Sequence, residues 1–234
     1  MKIEFFHDVI CSFCFPMSYR MHSIKEELPE VEIIHRSFAL GWEPDAFVQM
    51  FGSREAVKPE VLNHWEHANR IDELHRFNID GMKKEDFLFP TSKYGLIAAK
   101  AAGLVGGQDV YWEVFDKLQE GLFMRSMNVE DLAVIRTLVK ETSIDFNAWE
   151  KQFEDSNTVE AVMSDFELAQ KYGINSIPTL IVNGKYLING AQRKDKIIET
   201  LKMIQQQEEQ EKKLVSINNE GGTCNLKDGK WECD

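Results

Sequence analysis

Two cysteines near the start of the chain, Cys11 and Cys14, are separated by Ser12 and Phe13. Thiols at this spacing serve two chemistries. One is disulfide exchange, in which a thiolate attacks a sulfur and a second thiol resolves the mixed disulfide; the other is metal ligation. The spacing alone does not choose between them, but the surroundings do. Lys2–Phe6 is a short apolar run that reads as a strand, and Phe15, Met17, Tyr19 and Ile24 follow at helical spacing up to Pro29. Cys11 is therefore expected to open a helix, where unpaired N–H groups and the helix dipole favour a thiolate. Cys14 lies one turn further on the same face. This makes Cys11 the exposed nucleophile and Cys14 the resolving thiol. Pro16 is expected to free a carbonyl near Ser12 and kink the first turn.

The metal reading needs further ligands. Cys224 and Cys233 have eight residues between them, whereas structural zinc pairs are typically about two to four apart. Glu60, His64 and His67 recur at helical spacing and read as a solvated face in preference to a metal site. The C-terminal cysteines suggest a different arrangement. With Asp228-Gly229 as a two-residue turn, Lys227 faces Lys230, Leu226 faces Trp231, Asn225 faces Glu232 and Cys224 falls opposite Cys233. That pairing suits a disulfide, either as a second redox pair or as a passive staple; two reduced thiols are the third reading.

The elements that must position these groups follow from periodicity. A second strand over Val31–Phe38 completes a β-α-β unit. Helical periodicity then dominates, with helices expected over Pro59–Phe77, Ser92–Ala102, Val110–Glu120, Val129–Lys140, Asp145–Asp155 and Thr158–Tyr172. Asn128 and Asn157 are the expected caps of two of them, and Gly81 and Gly121 are expected breaks. Thr179–Val182 and Lys185–Ile188 flank Asn183-Gly184, a two-residue hairpin turn. Lys194–Glu211 forms the last helix. The expected fold class is α/β: a βαβ half over 1–52, a helical insertion over 53–172, a ββα half over 173–211, and a tail over 212–234 carrying the cysteine-paired hairpin. Trp42, Trp65, Trp112 and Phe115 are expected in the core, with some of them forming an apolar groove around Cys11.

Three stretches carry a family resemblance: Phe6-His7-Asp8-Val9-Ile10-Cys11-Ser12-Phe13-Cys14, Phe89-Pro90-Thr91-Ser92, and Ala169 through Asn183 with Ile177-Pro178 at its centre. Together they resemble the thioredoxin superfamily, more closely its DsbA-like branch with the FrnE-type oxidoreductases. The resemblance implies a thioredoxin-like fold with an all-helical insertion and thiol–disulfide exchange with protein substrates. It places Cys11 as nucleophile, Cys14 as resolving thiol, and Ile177 and Pro178 as the cis-proline loop that positions substrate. It implies protein thiols or disulfides as partners, with glutathione or a thioredoxin-type reductant supplying electrons, and no cofactor. The family often has Pro-Trp between the cysteines; Ser12-Phe13 stands here, so the usual redox poise does not carry over. Relatives that act as glutathione-dependent isomerases use serine where Cys11 stands. The competing class is a non-catalytic adaptor of the same fold.

Composition sets outer bounds. The chain has 234 residues, 43% of them hydrophobic and 28% charged, which suits a globular protein and excludes a disordered or collagen-like one. A net charge of -12 with no basic cluster argues against nucleic acid as partner. No apolar run reaches the ~20 residues of a membrane span. Glu4, where a signal peptide would be apolar, leads to the expectation of a cytoplasmic protein.

Overall fold

The computed structural model describes residues 1–211 and 224–233. In chain order the elements are β1 (Lys2–His7), α1 (Cys14–Glu27), β2 (Glu32–Ser37), α2 (Pro44–Phe51), α3 (Arg54–Ile71), α4 (Ile79–Lys84), α5 (Lys93–Gly106), α6 (Gln108–Phe123), α7 (Leu132–Lys140), α8 (Phe146–Phe153), α9 (Ser156–Lys171), β3 (Thr179–Val182), β4 (Tyr186–Asn189), α10 (Lys194–Glu211), β5 (Cys224–Lys227) and β6 (Lys230–Cys233). This is the α/β fold with a helical insertion that the sequence pattern predicts, and the thioredoxin-like fold that the resemblance implies: eight described helices, α2 to α9, lie between β2 and β3. One compact unit spans Met1–Ile198 and a second Glu199–Asp234, so the division falls inside α10.

In the first unit the sheet order is β2-β1-β3-β4, with β1 parallel to β2 and antiparallel to β3. β1 is central and buried from Ile3 to His7, as its apolar run demands. The β3–β4 hairpin turns on Asn183 and Gly184, both at positive φ (52° and 67°), the conformation for which an Asn-Gly pair is suited. One continuous apolar core joins Val9, Ile10 and Phe15, around the cysteines, to Trp65, Phe89 and Phe123 of the helical block. The cysteine loop thus rests on the insertion as much as on the sheet.

Several local expectations are corrected. α1 begins at Cys14, not Cys11. Pro16 sits in its first turn, where the N–H would have no intrahelical partner anyway, so it costs no bond. α3 starts five residues before Pro59, capped by Ser53 Oγ accepting from the Ala56 N–H. α2 and α4 were not expected, and Gly81 lies inside α4. The caps expected at Asn128 and Asn157 fall instead on Asp131 and Asp155, whose carboxylates accept from the Ala133 and Asn157 N–H groups. Gly121 lies within α6. A Cβ there would come within 2.5 Å of Leu138 Cδ1, so this glycine permits helix contact and breaks nothing.

In the second unit β5 and β6 pair antiparallel with Cys224 opposite Cys233, Leu226 opposite Trp231 and Lys227 opposite Lys230, the register expected from counting. Asp228 and Gly229 are both at positive φ. Of the tail expected at 212–234, positions 212–223 and 234 lie outside the described residues.

Candidate active site

Cys11 and Cys14 form a disulfide, with their Cα atoms 5.2 Å apart, in the turn that carries β1 into α1. The turn is closed twice over: the Cys14 N–H donates to the Cys11 carbonyl at 3.0 Å and approaches Cys11 Sγ at 3.1 Å. An amide aimed at that sulfur stabilises it as a thiolate, as does the N-terminus of α1 three residues on. The sequence made Cys11 exposed; it is only 3% accessible, and Cys14 is fully buried. Cys11 nevertheless lines a cleft of about 250 Å³, and Cys14 does not. The two sulfurs therefore differ in bordering a cleft and not in general exposure.

The loop before β3 closes one side. The Ile177–Pro178 peptide bond is cis, and Cys11 Sγ lies 4.0 Å from the Ile177 carbonyl oxygen. The structure therefore brings Cys11, Cys14 and the Ile177-Pro178 loop together, from chain positions 166 residues apart. Cys224 and Cys233 belong to the other unit.

The opposite wall of the cleft comes from the start of the insertion: Leu40, Phe47, Met50 and Phe51, with Phe13 and Phe89 beside them. These are not the aromatics expected there. Trp65, Trp112 and Phe115 are core residues, and Trp42 lines a separate depression with Phe166. Most of the true wall sits on α2, an eight-residue helix whose start carries no side-chain cap to announce it. His64, on α3, is the one ionisable lining side chain besides Cys11; His67 and Glu60 are exposed and do not line it.

Behind the cysteine turn the character reverses. Asp8 is wholly buried, and its carboxylate accepts from the Leu40 N–H at 2.7 Å, from Ser92 Oγ at 2.6 Å and from the Ile10 N–H at 3.3 Å. Its carbonyl accepts from the Cys11 N–H at 3.2 Å, and Gln119 Nε2 donates to the Asp8 and Val9 carbonyls at 3.3 and 3.4 Å. Burial pushes the Asp8 carboxyl up to about 6, opposed by these hydrogen bonds. Next to it His7 packs against His35, with His7 Nε2 and His35 Nδ1 3.3 Å apart. Burial, then the charges of other cations, holds His7 well below its usual range and His35 at about 3. Nearer the surface, Lys100 of α5 and Arg36 of β2 both pair with Asp165 of α9, and Arg36 also pairs with Glu4, tying sheet to insertion. The sequence pointed to the cysteines because their spacing is local. Asp8 stood in the same motif, but its partners are 32 and 84 residues away and no periodicity reveals them.

The fold recurs among solved structures. A candidate protein disulfide isomerase from Nitrosomonas europaea superposes with a TM-score of 0.71 at 16% identity, covering 88% of this chain and 98% of that one. The cytosolic disulfide reductase DsbM from Pseudomonas aeruginosa, in a structure with glutathione, gives 0.69 at 13% identity over 88% and 100% of the two chains. A 2-hydroxychromene-2-carboxylate isomerase gives 0.64 at 14% identity over 91% and 100%. No curated protein sequence matches the chain. The model of the DSBA-like thioredoxin domain matches residues 2–202, and the chain belongs to that family.

Proposed function

We propose that the protein is a thiol–disulfide oxidoreductase acting on protein substrates, with Cys11 as the exchanging sulfur and Cys14 as the resolving one. The observation that carries this reading is a disulfide with one sulfur opening on a cleft and the other sealed, beside a cis-proline loop. In the reducing direction the Cys11 thiolate attacks a substrate disulfide. One substrate thiolate leaves, and a mixed disulfide forms on Cys11. Cys14, as thiolate, then attacks the Cys11 sulfur, which releases the second substrate thiolate and regenerates the Cys11–Cys14 bond. Two electrons pass to the substrate, and two protons from the medium complete its thiols. The oxidising direction runs the same steps in reverse.

Ile177 and Pro178 position the substrate backbone in this reading, and the apolar wall of α2 takes a large apolar side chain next to the reacting sulfur. Glutathione or a thioredoxin-type reductant resets the pair, and the cytoplasm is its setting. In the same reading Cys224 and Cys233, opposite each other in the β5–β6 register, serve as a second redox pair, with a passive staple as the alternative. A relative of the same fold is an isomerase, but the thiol at position 11 suits exchange of sulfur.

The test is substitution of each cysteine. Cys11→Ser abolishes disulfide exchange, whereas Cys14→Ser leaves a mixed disulfide that accumulates and is read by intact mass. Glutathione titration of the chain carrying Cys224→Ser and Cys233→Ser then gives the direction: about -120 to -180 mV marks an oxidant or isomerase, about -270 mV a reductase. A Cys11→Ser protein that keeps its cellular role sinks the enzyme reading in favour of an adaptor.

A further inference from the structure

We propose that Asp8 and Ser92 are positioning residues for disulfide exchange: Ser92 holds the Asp8 carboxylate beneath the Ile10–Cys11 turn, and the charge of that carboxylate opposes the thiolate that Cys11 becomes on reduction. This rests on the exchange reading of the same site. It also gives a role to Phe89-Pro90-Thr91-Ser92, which the cysteines alone leave unexplained.

Ser92 stands at the N-cap position of α5, where a serine ordinarily accepts from a backbone N–H of the first turn. It makes no such bond. Its hydroxyl instead donates to Asp8 at 2.6 Å and accepts from the Gly41 N–H at 3.1 Å, while the Ser92 N–H donates to the Gly41 carbonyl at 2.8 Å. The hydroxyl is thus diverted from the helix to a buried carboxylate that touches the cysteine turn. The segment carrying it is fixed in turn. Thr91 donates twice to Glu130, and Arg54 donates to the Phe89 carbonyl and pairs with Glu130. Closeness is enforced as well, because a Cβ on Gly95 of α5 would come within 3.2 Å of Val9.

A carboxylate in this place is offset by hydrogen bonds, and the titratable groups around it add no cation. His7, adjacent on β1, is kept neutral by burial and by His35 and Lys100. On α6, Gln119 is uncharged, and the Tyr111 phenol is pushed far above its ordinary value, first by burial, then by Asp165 and with Asp8 contributing. Lys100 of α5 makes its ion pair with Asp165. The loop after β2 offers the Leu40 N–H. With its carboxyl at about 6, Asp8 is largely charged above pH 7 and largely neutral below pH 5. A like charge beside an ionising thiol raises the cost of the thiolate and so favours the disulfide.

The measurement is the alkylation rate of Cys11 by iodoacetamide in the reduced full-length protein from pH 4 to 9, read by peptide mass, together with the glutathione equilibrium at pH 7.5. Asp8→Asn is expected to lower the pH midpoint of Cys11 alkylation by about one unit. It should also move the equilibrium about tenfold toward the reduced pair, about 30 mV for two electrons. Ser92→Ala removes a donor that keeps Asp8 ionised. Cys11 should then react about two- to threefold faster than wild type at pH 6.5 and equally fast at pH 8.5. A folded Asp8→Asn protein with an unmoved midpoint overturns the proposal. If that variant does not fold, a Ser92→Ala rate ratio that is the same at both pH values overturns it instead, since a merely structural clamp acts alike at every pH. Alkylation needs no substrate, so a wild-type protein that fails to exchange disulfides refutes the proposed function and leaves this result separately readable.

Discussion

Cys11 stands between two walls built on opposite principles. In front, the cleft is closed by Leu40, Phe47, Met50 and Phe51, whose grip is apolar area without direction; Leu40 and Met50 are 41% and 56% exposed, ready to be covered. Behind, Asp8, Ser92 and Gln119 are buried and joined to the cysteine turn by hydrogen bonds of fixed direction. A wall of the first kind loses about 0.8 kcal/mol for each buried CH₂ removed and accepts many shapes. A network of the second kind loses its geometry when one member is left unpaired. Under the proposed function, tolerance of varied substrates falls to the first wall and control of the sulfur to the second, and substitutions should separate them.

The largest expected effect comes from the polar side and concerns acid. The folded His35 sits at about 3, below the 6.5 of the unfolded chain, so the folded state binds fewer protons between those values. Its contribution is complete above pH 6.5 and is lost as pH falls toward 3, on the order of 5 kcal/mol in all; His7 acts in the same direction. Asp8 has the opposite sign. Its folded value of about 6 exceeds the usual 3.8, so its penalty at neutral pH is relieved as pH falls through that window, on the order of 3 kcal/mol. Urea midpoints at pH 7 and pH 4.5 should therefore fall on acidification in the wild type, fall further in Asp8→Asn, and fall least in His35→Phe. Equal losses in all three would show that the buried polar layer does not set acid stability.

The apolar side should respond differently. Met50→Ala removes an exposed side chain, so the melting temperature is expected to stay within about 1 °C, as for surface positions generally. KM for a peptide disulfide flanked by leucine or phenylalanine should rise about threefold with kcat unchanged, and exchange with oxidised glutathione should not change. A fall in kcat with constant KM would mean that the front wall also governs the sulfur, and the division between the two walls would fail.

The same division explains what the sequence disclosed. Cys11-Ser12-Phe13-Cys14 and Asn183-Gly184 are readable because spacing and turn chemistry act over four residues or fewer. The pairing of β1 with β2 follows from the β-α-β order, whereas the antiparallel pairing of β1 with β3 spans most of the chain and no local pattern announces it. α2 was hidden although α8, equally eight residues long, was expected: α8 opens on a capping Asp145, whereas the Glu43 side chain caps no backbone N–H at the start of α2. Gly121 misled because a glycine that admits Leu138 looks the same in sequence as one that ends a helix. The displaced caps have a similar cause. Asn128 and Asn157 are good capping types, but Asp131 and Asp155 compete within three residues, and packing of the following helix decides. Asp8 is the sharpest case, since two of the groups that hold its carboxylate arrive from Leu40 and Ser92, in the loop after β2 and at the start of α5.

The smallest expected effect tests whether the front wall reads charge at all. At the edge of the insertion Lys93 donates to Glu43 at 2.6 Å, linking the start of α5 to the cap of α2, with 31% and 52% of their side chains exposed. Pairs so open to water contribute about 0.2 to 1 kcal/mol and weaken with salt. Lys93→Ala should accordingly cost less than about 1 kcal/mol in urea unfolding and leave KM for the apolar peptide within twofold, with the difference vanishing in 0.5 M salt. A tenfold rise in KM would be informative in the other direction. The apolar wall would then depend on an ion pair to hold α2 in place, and placement of that helix, more than the area of Phe47 and Met50, would be what selects the substrate.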